Sequence, residues 1–237
     1  MEPADQALRA TPIIPRGLYA ITPQSTGLAL DDFVQGALEG GAALVQYRAK
    51  DKPLDQLTAE ASRLAAYCRE QHRLLIINDL CWLCLATQAA GVHLGRDDLP
   101  LAEARALLGA GLLIGASAYN ELQRALMLEQ AGADYVALGS FYPSPTKPRA
   151  VRATPTLLTA ARSRLSCALC VIGGIGIKEA GLLAALGADL IAVSSGLLQA
   201  GESRAAIGMT AQRYVASIEA GWAESRTTPV TIPQETP

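Results

Sequence analysis

Eight short apolar runs, most of them rich in branched residues, alternate with longer Ala- and Leu-rich stretches along the chain. The short runs have the length and composition of buried β-strands, and the stretches between them have apolar residues at helical spacing. This alternation predicts βα units on a parallel sheet. The predicted strands are GLYAI from Gly17, ALVQY from Ala43, LLIIN from Leu74, GVHLG from Gly91, LLIGAS from Leu112, DYVAL from Asp134, ALCVI from Ala168 and DLIAV from Asp189.

Several predicted helices end in glycine, which is typical of a helix C-cap that leads into a strand, as in EGGA and ALGAD. They span residues 31–39, 54–71, 80–89, 101–109, 119–130, 154–164, 178–185 and 203–220. Eight such units in about 200 residues predict an α/β fold, a single (β/α)8 TIM barrel over residues 16–220. A doubly wound open sheet is the alternative. Residues 1–15 and 221–237 are predicted to be flexible tails.

The composition limits the classes of partner. The chain has 237 residues, of which 50% are hydrophobic, and a formal net charge of -2, which predicts a soluble protein with one substantial core. No nucleic acid partner is expected, because acids slightly outnumber bases and no Lys or Arg run is present. No apolar run approaches the roughly 20 residues that span a bilayer, and the first residues lack a signal-peptide pattern. We predict a cytoplasmic protein with no membrane partner, and a homo-oligomer stays open.

The five cysteines include two C-x-x-C pairs, CWLC from Cys81 and CALC from Cys167. Four thiolates in such pairs are compatible with a zinc site, and CWLC follows a strand as a thioredoxin-type motif does. Both pairs lie in strongly apolar surroundings, however, and residues three apart in a strand face opposite sides. Buried small hydrophobic residues are therefore the favoured interpretation.

Polar side chains concentrate where the predicted strands end. The segments QYRAK, ND, GRDD, ASAYN, GGIG and SSG each follow a strand, and the sixth strand leads into LGSFYPSPTKPRA, residues 138–150. A proline-rich loop of this length is neither helix nor central strand, and long loops in compact domains are commonly functional. Since the active sites of TIM barrels lie at the carboxyl ends of the strands, we expect these segments to form one site.

The residue types at this end suggest phosphate chemistry. Arg48, Lys50 and Lys147 are cations suited to phosphate oxygens. Asp79 and Asp98 follow neighbouring strands, and Mg²⁺ commonly takes one or two carboxylates together with substrate phosphate. These groups predict a diphosphate held through a metal ion. The GGIG and SSG segments add backbone N–H groups and hydroxyls for a second phosphate.

Each feature also has a structural interpretation when it is taken alone. Arg48 and Lys50 could pair with Asp51 or Glu39 at the surface. The ND segment could be a turn that caps a helix, and GGIG could be a tight turn between a strand and a helix. His93 is expected to be a packed strand residue rather than a ligand. The joint occurrence of these features at one end favours the functional interpretation.

The sequence resembles the thiamine phosphate synthase family from about Gly17 to Met209. The resemblance rests on seven segments in order: QYRAK, ND, HLGRDDL, GASAYN, GSFYPSPTK, IGGI and VSSG. It implies a Mg²⁺-dependent enzyme that joins hydroxymethylpyrimidine diphosphate to thiazole phosphate and releases pyrophosphate. It further implies that pyrophosphate departs first and that the thiazole nitrogen captures the resulting cation. No strong base is then needed, because that nitrogen carries a free lone pair.

The resemblance also implies roles for individual residues. The pyrimidine diphosphate would be bound by Gln46, Tyr47, Arg48, Ala49, Lys50, Asn78, Ser117 and Lys147. The thiazole phosphate would be bound by Ser144, Pro145, Thr146, Gly174, Ser194 and Ser195. Asp79 and Asp98 would bind Mg²⁺, and the catalytic groups would be Arg48, Lys50 and Lys147, which stabilise the leaving group. The proline-rich loop would act as a lid that excludes water.

The chain departs from the family pattern at two positions, and it leaves one choice open. Arg96 stands where Gln is common, which would bring an extra cation near Asp98 or direct it outward. Tyr119 stands where His is frequent. The ligand choice between Asp97 and Asp98 rests on alignment of the motif. A thiazole tautomerase-like barrel and a non-catalytic sensor of phosphate ligands are the alternative functions.

Overall fold

The strands of the computed structural model close into a barrel in which every neighbouring pair is parallel. The structure describes residues 13–24, 27–50, 52–143 and 151–227. Within these ranges the strands are β1 Gly17–Ile21, β2 Leu44–Tyr47, β3 Leu74–Asn78, β4 Gly91–Leu94, β5 Leu113–Tyr119, β6 Tyr135–Gly139, β7 Ala168–Ile172 and β8 Leu190–Val193. The last strand pairs with the first, with Gly17 opposite Leu190. The TIM barrel is confirmed, because an open sheet would leave β1 and β8 unpaired.

A helix follows each strand, in agreement with the predicted order. The helices are α1 Leu30–Glu39, α2 Leu54–Glu70, α3 Cys81–Thr87, α4 Leu101–Leu108, α5 Leu122–Gln130, α6 Pro155–Arg162, α7 Ile177–Ala185 and α8 Arg204–Thr227, with a short 3-10 helix at Ser195–Leu198. Within the described ranges, no helix has the length and apolar character needed to cross a bilayer.

The end of α8 corrects the predicted boundary of the domain. Residues 221–227 continue the helix, so it ends seven residues later than expected. Trp222 explains the difference, because its indole N–H donates to the carbonyl of Ala188 at 2.9 Å. The guanidinium of Arg16 also lies 4.3 Å from the centre of the indole ring, a cation–π distance. This part of the chain is therefore anchored to the barrel, and residues 228–237 lie outside the described ranges.

Apolar side chains form two layers, one inside the barrel and one between the sheet and the helices. Tyr19, Leu44 and Tyr135 belong to the inner layer, as the alternation of strand side chains requires. Cys170 also lies inside, whereas Cys81 and Cys84 lie in the outer layer. Cys170 is thus separated by the sheet from Cys81 and Cys84, and these three are buried as predicted, whereas Cys167 packs against the outer layer.

The amino-terminal end of the barrel is held by a carboxylate that precedes β8. Asp189 accepts a hydrogen bond from the backbone N–H of Leu169 in β7 at 2.9 Å. The same side chain pairs with Arg162 of α6 at 2.9 Å and with Arg16 at 3.0 Å. One residue therefore connects the beginning of two strands to a helix.

The same arrangement occurs one strand pair earlier. Asp134, which precedes β6, accepts from the N–H of Ile114 in β5 at 2.7 Å. It pairs with Arg105 of α4 at 2.6 Å. Both carboxylates end a Gly-Ala-Asp tripeptide, at residues 132–134 and 187–189. The amino-terminal end is thus fixed by structural ion pairs, while the predicted site residues lie at the opposite end.

Candidate active site

The carboxyl ends of the strands bring most of the predicted site residues to one end of the barrel. β2 contributes Gln46, β3 ends at Asn78, and β5 contains Ser117. The loops after β7 and β8 carry Gly174, Ser194 and Ser195. Four predicted site residues lie outside the described ranges, namely Ser144, Pro145, Thr146 and Lys147. Their assigned roles stay predictions.

Asp79 and Asp98 lie close enough for their carboxyl groups to interact. Burial is the main reason why the pKa of Asp79 rises to about 6, and the hydrogen bond and charge of Asp98 raise it further. The nearby ammonium of Lys50 and the side chain of Asn78 act in the opposite direction. Two half-buried carboxyl groups in contact form a hard oxygen donor set, which fits the preference of Mg²⁺.

The backbone around both carboxylates holds them in place. Asp79 has a left-handed φ of 64°, a conformation that Asp tolerates better than most residues. Its N–H donates to the carbonyl of His93 in β4 at 2.9 Å. Asp98 folds back on its own loop, where its Oδ2 accepts from the N–H of Gly95 at 2.6 Å. Because Asp98 contacts Asp79 while Asp97 is exposed, the geometry favours Asp98 as the second ligand.

Thr22 holds the backbone at the cationic end of β2, and the sequence did not indicate this. The N–H of Arg48 donates to Thr22 Oγ1 at 2.8 Å, and that hydroxyl donates back to the Arg48 carbonyl at 3.2 Å. Thr22 is buried, with 1% of its surface exposed. The alternative in which Arg48 or Lys50 forms a surface ion pair with Glu39 is not supported, because Glu39 pairs with Arg204 instead.

The side chains of Tyr47 and Ala49 face away from the interior of the barrel. Tyr47 lies in the outer layer, and its hydroxyl donates to Glu60 Oε2 of α2 at 2.6 Å. Burial and the Glu60 carboxylate raise the pKa of this hydroxyl. Ala49 packs against the same layer. Since Gln46 points inward, its neighbour must point outward, and only the backbone of Tyr47 and Ala49 can face a ligand.

A chain of hydrogen bonds crosses the barrel interior beneath the site. The Gln46 amide nitrogen donates to the Tyr19 hydroxyl at 2.8 Å, and that hydroxyl lies 2.9 Å from the Tyr135 hydroxyl. Tyr135 Oη lies 3.0 Å from His93 Nδ1, and His93 Nε2 lies 2.9 Å from Ser117 Oγ. Five strands, β2, β1, β6, β4 and β5, thus contribute one residue each. His93 is a packed strand residue, as predicted, but with both ring nitrogens engaged.

The ring of Tyr135 fits inside the barrel because β5 carries a glycine beside it. A Cβ on Gly115 would lie 1.9 Å from Tyr135 Cζ, far inside contact distance. The ring also stacks on His93 with centroids 5.5 Å apart. Burial raises the pKa of both Tyr19 and Tyr135, so both hydroxyls stay neutral.

Two glycines after β7 shape the predicted phosphate end. Gly173 and Gly174 have φ values of 105° and 62°, which favour glycine. A Cβ on Gly174 would lie 2.2 Å from the carbonyl oxygen of Pro143, so the loops after β6 and β7 are in close contact. Ser194 directly follows β8, and Ser195 begins the 3-10 helix. Backbone N–H groups in such turns can bind phosphate oxygens.

Tyr214 of α8 contacts the loop after β7 and the loop after β8, a role that the sequence did not reveal. Its hydroxyl donates to the carbonyl of Ile175 at 2.9 Å. A Cβ on Gly196 would lie only 2.7 Å from the same hydroxyl. One buried phenol therefore links the loop after β7 to the loop after β8.

The two departures from the family pattern form a single contact. Arg96 lies over the Tyr119 ring, 4.8 Å from its centre, and its guanidinium pairs with Glu121 at the start of α5. The Tyr119 hydroxyl accepts from the Arg96 N–H at 3.1 Å. Glu121 thus offsets the charge of Arg96. The contacts of Arg96 with Tyr119 support the loop that carries Asp98.

Comparison with known proteins identifies the family. The family model described as thiamine monophosphate synthase matches residues 18–197. A thiamine-phosphate synthase of Azoarcus sp. (strain BH72) is 50% identical over 189 residues, which cover 79% of this chain and 91% of the relative. The corresponding protein of Thioalkalivibrio sulfidiphilus is 48% identical over 185 residues, covering 77% and 87%.

A solved structure supports the same conclusion. The thiamine phosphate pyrophosphorylase from Pyrococcus furiosus superposes with a TM-score of 0.77 at 30% identity, covering 87% of this chain and 96% of that one. The synthase name of these relatives favours the synthase over the tautomerase-like barrel and the sensor. With the match extending over most of the barrel, the chain belongs to the thiamine monophosphate synthase family, a family of transferases in thiamine biosynthesis.

Proposed function

We propose that this chain joins hydroxymethylpyrimidine diphosphate to thiazole phosphate with Mg²⁺ held by Asp79 and Asp98. Transferase activity in thiamine biosynthesis follows from the family. The metal ion and the role of each residue are the proposal. The observation that carries it is the interacting pair of carboxyl groups of Asp79 and Asp98 near Lys50.

The proposed metal site would combine two carboxylates with oxygens of the substrate. Mg²⁺ is usually bound through one or two carboxylates, and water and phosphate complete its shell. When bound, the ion supplies charge neutralisation for the diphosphate oxygens. Asn78, which interacts with Asp79, would hold that carboxylate in orientation for the ion.

Arg48, Lys50 and Lys147 would stabilise the departing pyrophosphate. The chemical demand is for positive charge, because the bond to the pyrimidine methylene breaks with its electrons going to the diphosphate oxygen. Thr22 fixes the backbone of Arg48, from which the guanidinium would reach the diphosphate. Lys147, from the proline-rich segment, would add its charge as that segment covers the substrates and excludes water.

The two organic substrates would occupy neighbouring parts of the rim. Gln46 and Ser117 would contact the pyrimidine from the interior of the barrel, with Tyr47 and Ala49 contributing backbone only. Gly174, Ser194 and Ser195 would bind the phosphate of the thiazole, together with Ser144, Pro145 and Thr146. Proximity of the thiazole nitrogen to the pyrimidine methylene then replaces any need for a strong base.

A direct assay tests this proposal. The purified protein is mixed with both substrates in Mg²⁺ or in EDTA, and pyrophosphate and thiamine phosphate are measured. We expect equal release of both products only with Mg²⁺. Binding of both substrates without turnover would instead favour a sensor of phosphate ligands.

The choice of ligand is tested by two adjacent variants. Asp98→Asn is expected to lose most activity and Mg²⁺ binding, whereas Asp97→Asn, one residue away and exposed, is expected to retain both. The reverse result would move the metal ligand to Asp97. The predicted cytoplasmic location and the homo-oligomer stay predictions.

A further inference from the structure

We propose that Tyr19, Tyr135 and His93 form a directed hydrogen-bond relay that positions Gln46 and Ser117 for an aminopyrimidine. The three residues act as positioning residues, since they reach the substrate only through the two ends of the chain. The inference rests on the proposed site for the pyrimidine diphosphate, and it assigns roles to three residues to which the sequence gave none.

The direction of the relay follows from counting protons. The Gln46 amide nitrogen donates to Tyr19 Oη. Tyr19 must then direct its single proton to the other neighbour of its oxygen, which is Tyr135 Oη at 2.9 Å. Tyr135 in turn has its own proton left for His93 Nδ1 at 3.0 Å.

The same count fixes the histidine tautomer. If Nδ1 of His93 accepts from Tyr135, then the neutral ring carries its proton on Nε2. Nε2–H donates to Ser117 Oγ at 2.9 Å. The hydroxyl proton of Ser117 is therefore directed away from His93, and Ser117 becomes a donor at the rim.

A relay in which every proton points the other way is less favourable, because the Gln46 amide nitrogen already donates to Tyr19. In that arrangement Ser117 donates to His93, and Tyr135 donates to Tyr19. Tyr19 would then accept from both Tyr135 and Gln46, which leaves its own proton without either of these partners. Its side chain is 1% exposed, and a buried donor without an acceptor costs free energy.

The two ends of the relay suit the proposed substrate. The Gln46 nitrogen is directed to Tyr19, so the amide oxygen is the end that can accept from an exocyclic amino group. Ser117 supplies a hydroxyl donor, which suits a ring nitrogen. An aminopyrimidine offers this combination of one N–H donor group and ring acceptors. A fixed pattern of donors and acceptors discriminates against analogues that invert it.

Burial makes the relay rigid. Tyr19 and Tyr135 are fully enclosed in the inner layer, and their rings meet edge to face with centroids 6.0 Å apart. Gly115 admits the Tyr135 ring at a distance that no other residue would allow. The donors and acceptors are thus held before a ligand arrives, which lowers the entropy lost on binding.

The tautomer is measured directly by ¹⁵N NMR of histidine-labelled protein. The chain has only two histidines, and the exposed His72 is assigned by a His72→Asn variant. We expect His93 to show an unprotonated Nδ1 and a protonated Nε2, and Tyr135→Phe to perturb this state. Protonation of Nδ1 in the wild type would overturn the proposed direction.

Kinetics test the positioning role. Removing one hydroxyl in Tyr135→Phe is expected to raise KM for the pyrimidine diphosphate roughly tenfold and to leave KM for the thiazole phosphate unchanged. Ser217→Ala is the matched control, because it also removes one hydroxyl hydrogen bond, to Ile177 at 2.6 Å between α8 and α7. Tyr19→Phe provides a second variant if Tyr135→Phe fails to fold.

The outcomes separate the relay from the underlying function. An active wild type with an unchanged KM in both Tyr→Phe variants would overturn the positioning role alone. A wild type that forms no thiamine phosphate would overturn the proposed function, and the NMR result would still decide the direction of the relay.

Discussion

Proton competition at the Asp79–Asp98 pair predicts how Mg²⁺ affinity varies with pH. Burial and the neighbouring carboxyl group raise the pKa of Asp79 to about 6. Mg²⁺ binds the carboxylate and not the carboxylic acid, so the proton and the metal ion compete for this group. The affinity for Mg²⁺ should therefore fall as the pH drops through 6.

The magnitude follows from the pKa. The apparent Kd rises by the factor 1 + 10^(pKa − pH), which is about 1 at pH 7.5 and roughly tenfold at pH 5 for a pKa of about 6. A carboxyl group with the ordinary pKa of 3.8 would change the apparent Kd by only about 6% over the same range. The measurement thus distinguishes a perturbed pair from two ordinary carboxylates.

In metal-free protein, the contribution of Asp79 to stability changes with pH in the opposite direction to Mg²⁺ affinity, because it decreases as the pH rises. Because the folded-state pKa of Asp79 lies above 3.8, this group contributes stability below that pH and loses the contribution as the pH rises through about 6. Mg²⁺ should consequently raise Tm more at pH 7.5 than at pH 5. Asp79→Asn should abolish the Mg²⁺ effect and make metal-free protein less sensitive to pH in this range.

Isothermal titration with Mg²⁺ at pH 5 and pH 7.5, with thermal melts of the same samples, is the assay. An apparent Kd that differs by less than about twofold between the two pH values would refute the proton-linked metal site.

Three further substitutions test the architecture around the site. Gly115→Ala should destabilise the fold by about 3 kcal/mol or more in urea melts, because its Cβ would overlap the Tyr135 ring; an unchanged midpoint would contradict the packing. Asp189→Asn should cost about 2 kcal/mol of stability and leave kcat unchanged, since it weakens ion pairs at the opposite end of the barrel; loss of kcat in folded protein would argue against this separation. Thr22→Val should lower kcat/KM roughly tenfold by releasing the backbone of Arg48, and normal kinetics would remove Thr22 from the site.

The order and the type of the helices and strands were predictable because their signals are local. Strand composition, helical spacing and glycine at helix ends each act within a few residues. The end of α8 was not predictable in this way. It depends on Trp222 meeting Ala188 and Arg16, which are distant in the sequence.

The site was predictable in its charged groups but less so in its supporting groups. Strand ends determined where Asp79 would lie, and the outward direction of Tyr47 could have been deduced from the alternation after Gln46. Thr22, Tyr214 and the relay through Tyr135 were not accessible in the same way. Their roles come from contacts across the barrel, which no single segment encodes.

The two Gly-Ala-Asp carboxylates divide the second half of the barrel into a repeated unit. Asp134 ties α4, β5 and β6 together, and Asp189 ties α6, β7 and β8 together in the same geometry. In this half of the barrel, each pair of βα units therefore has its own carboxylate that joins two strands and a helix, at the end remote from the proposed substrate site. Recombination between related barrels at the boundary after β6 would keep Asp134 with Arg105 and Asp189 with Arg162, and only the ion pair of Asp189 with Arg16 would then join the two parents.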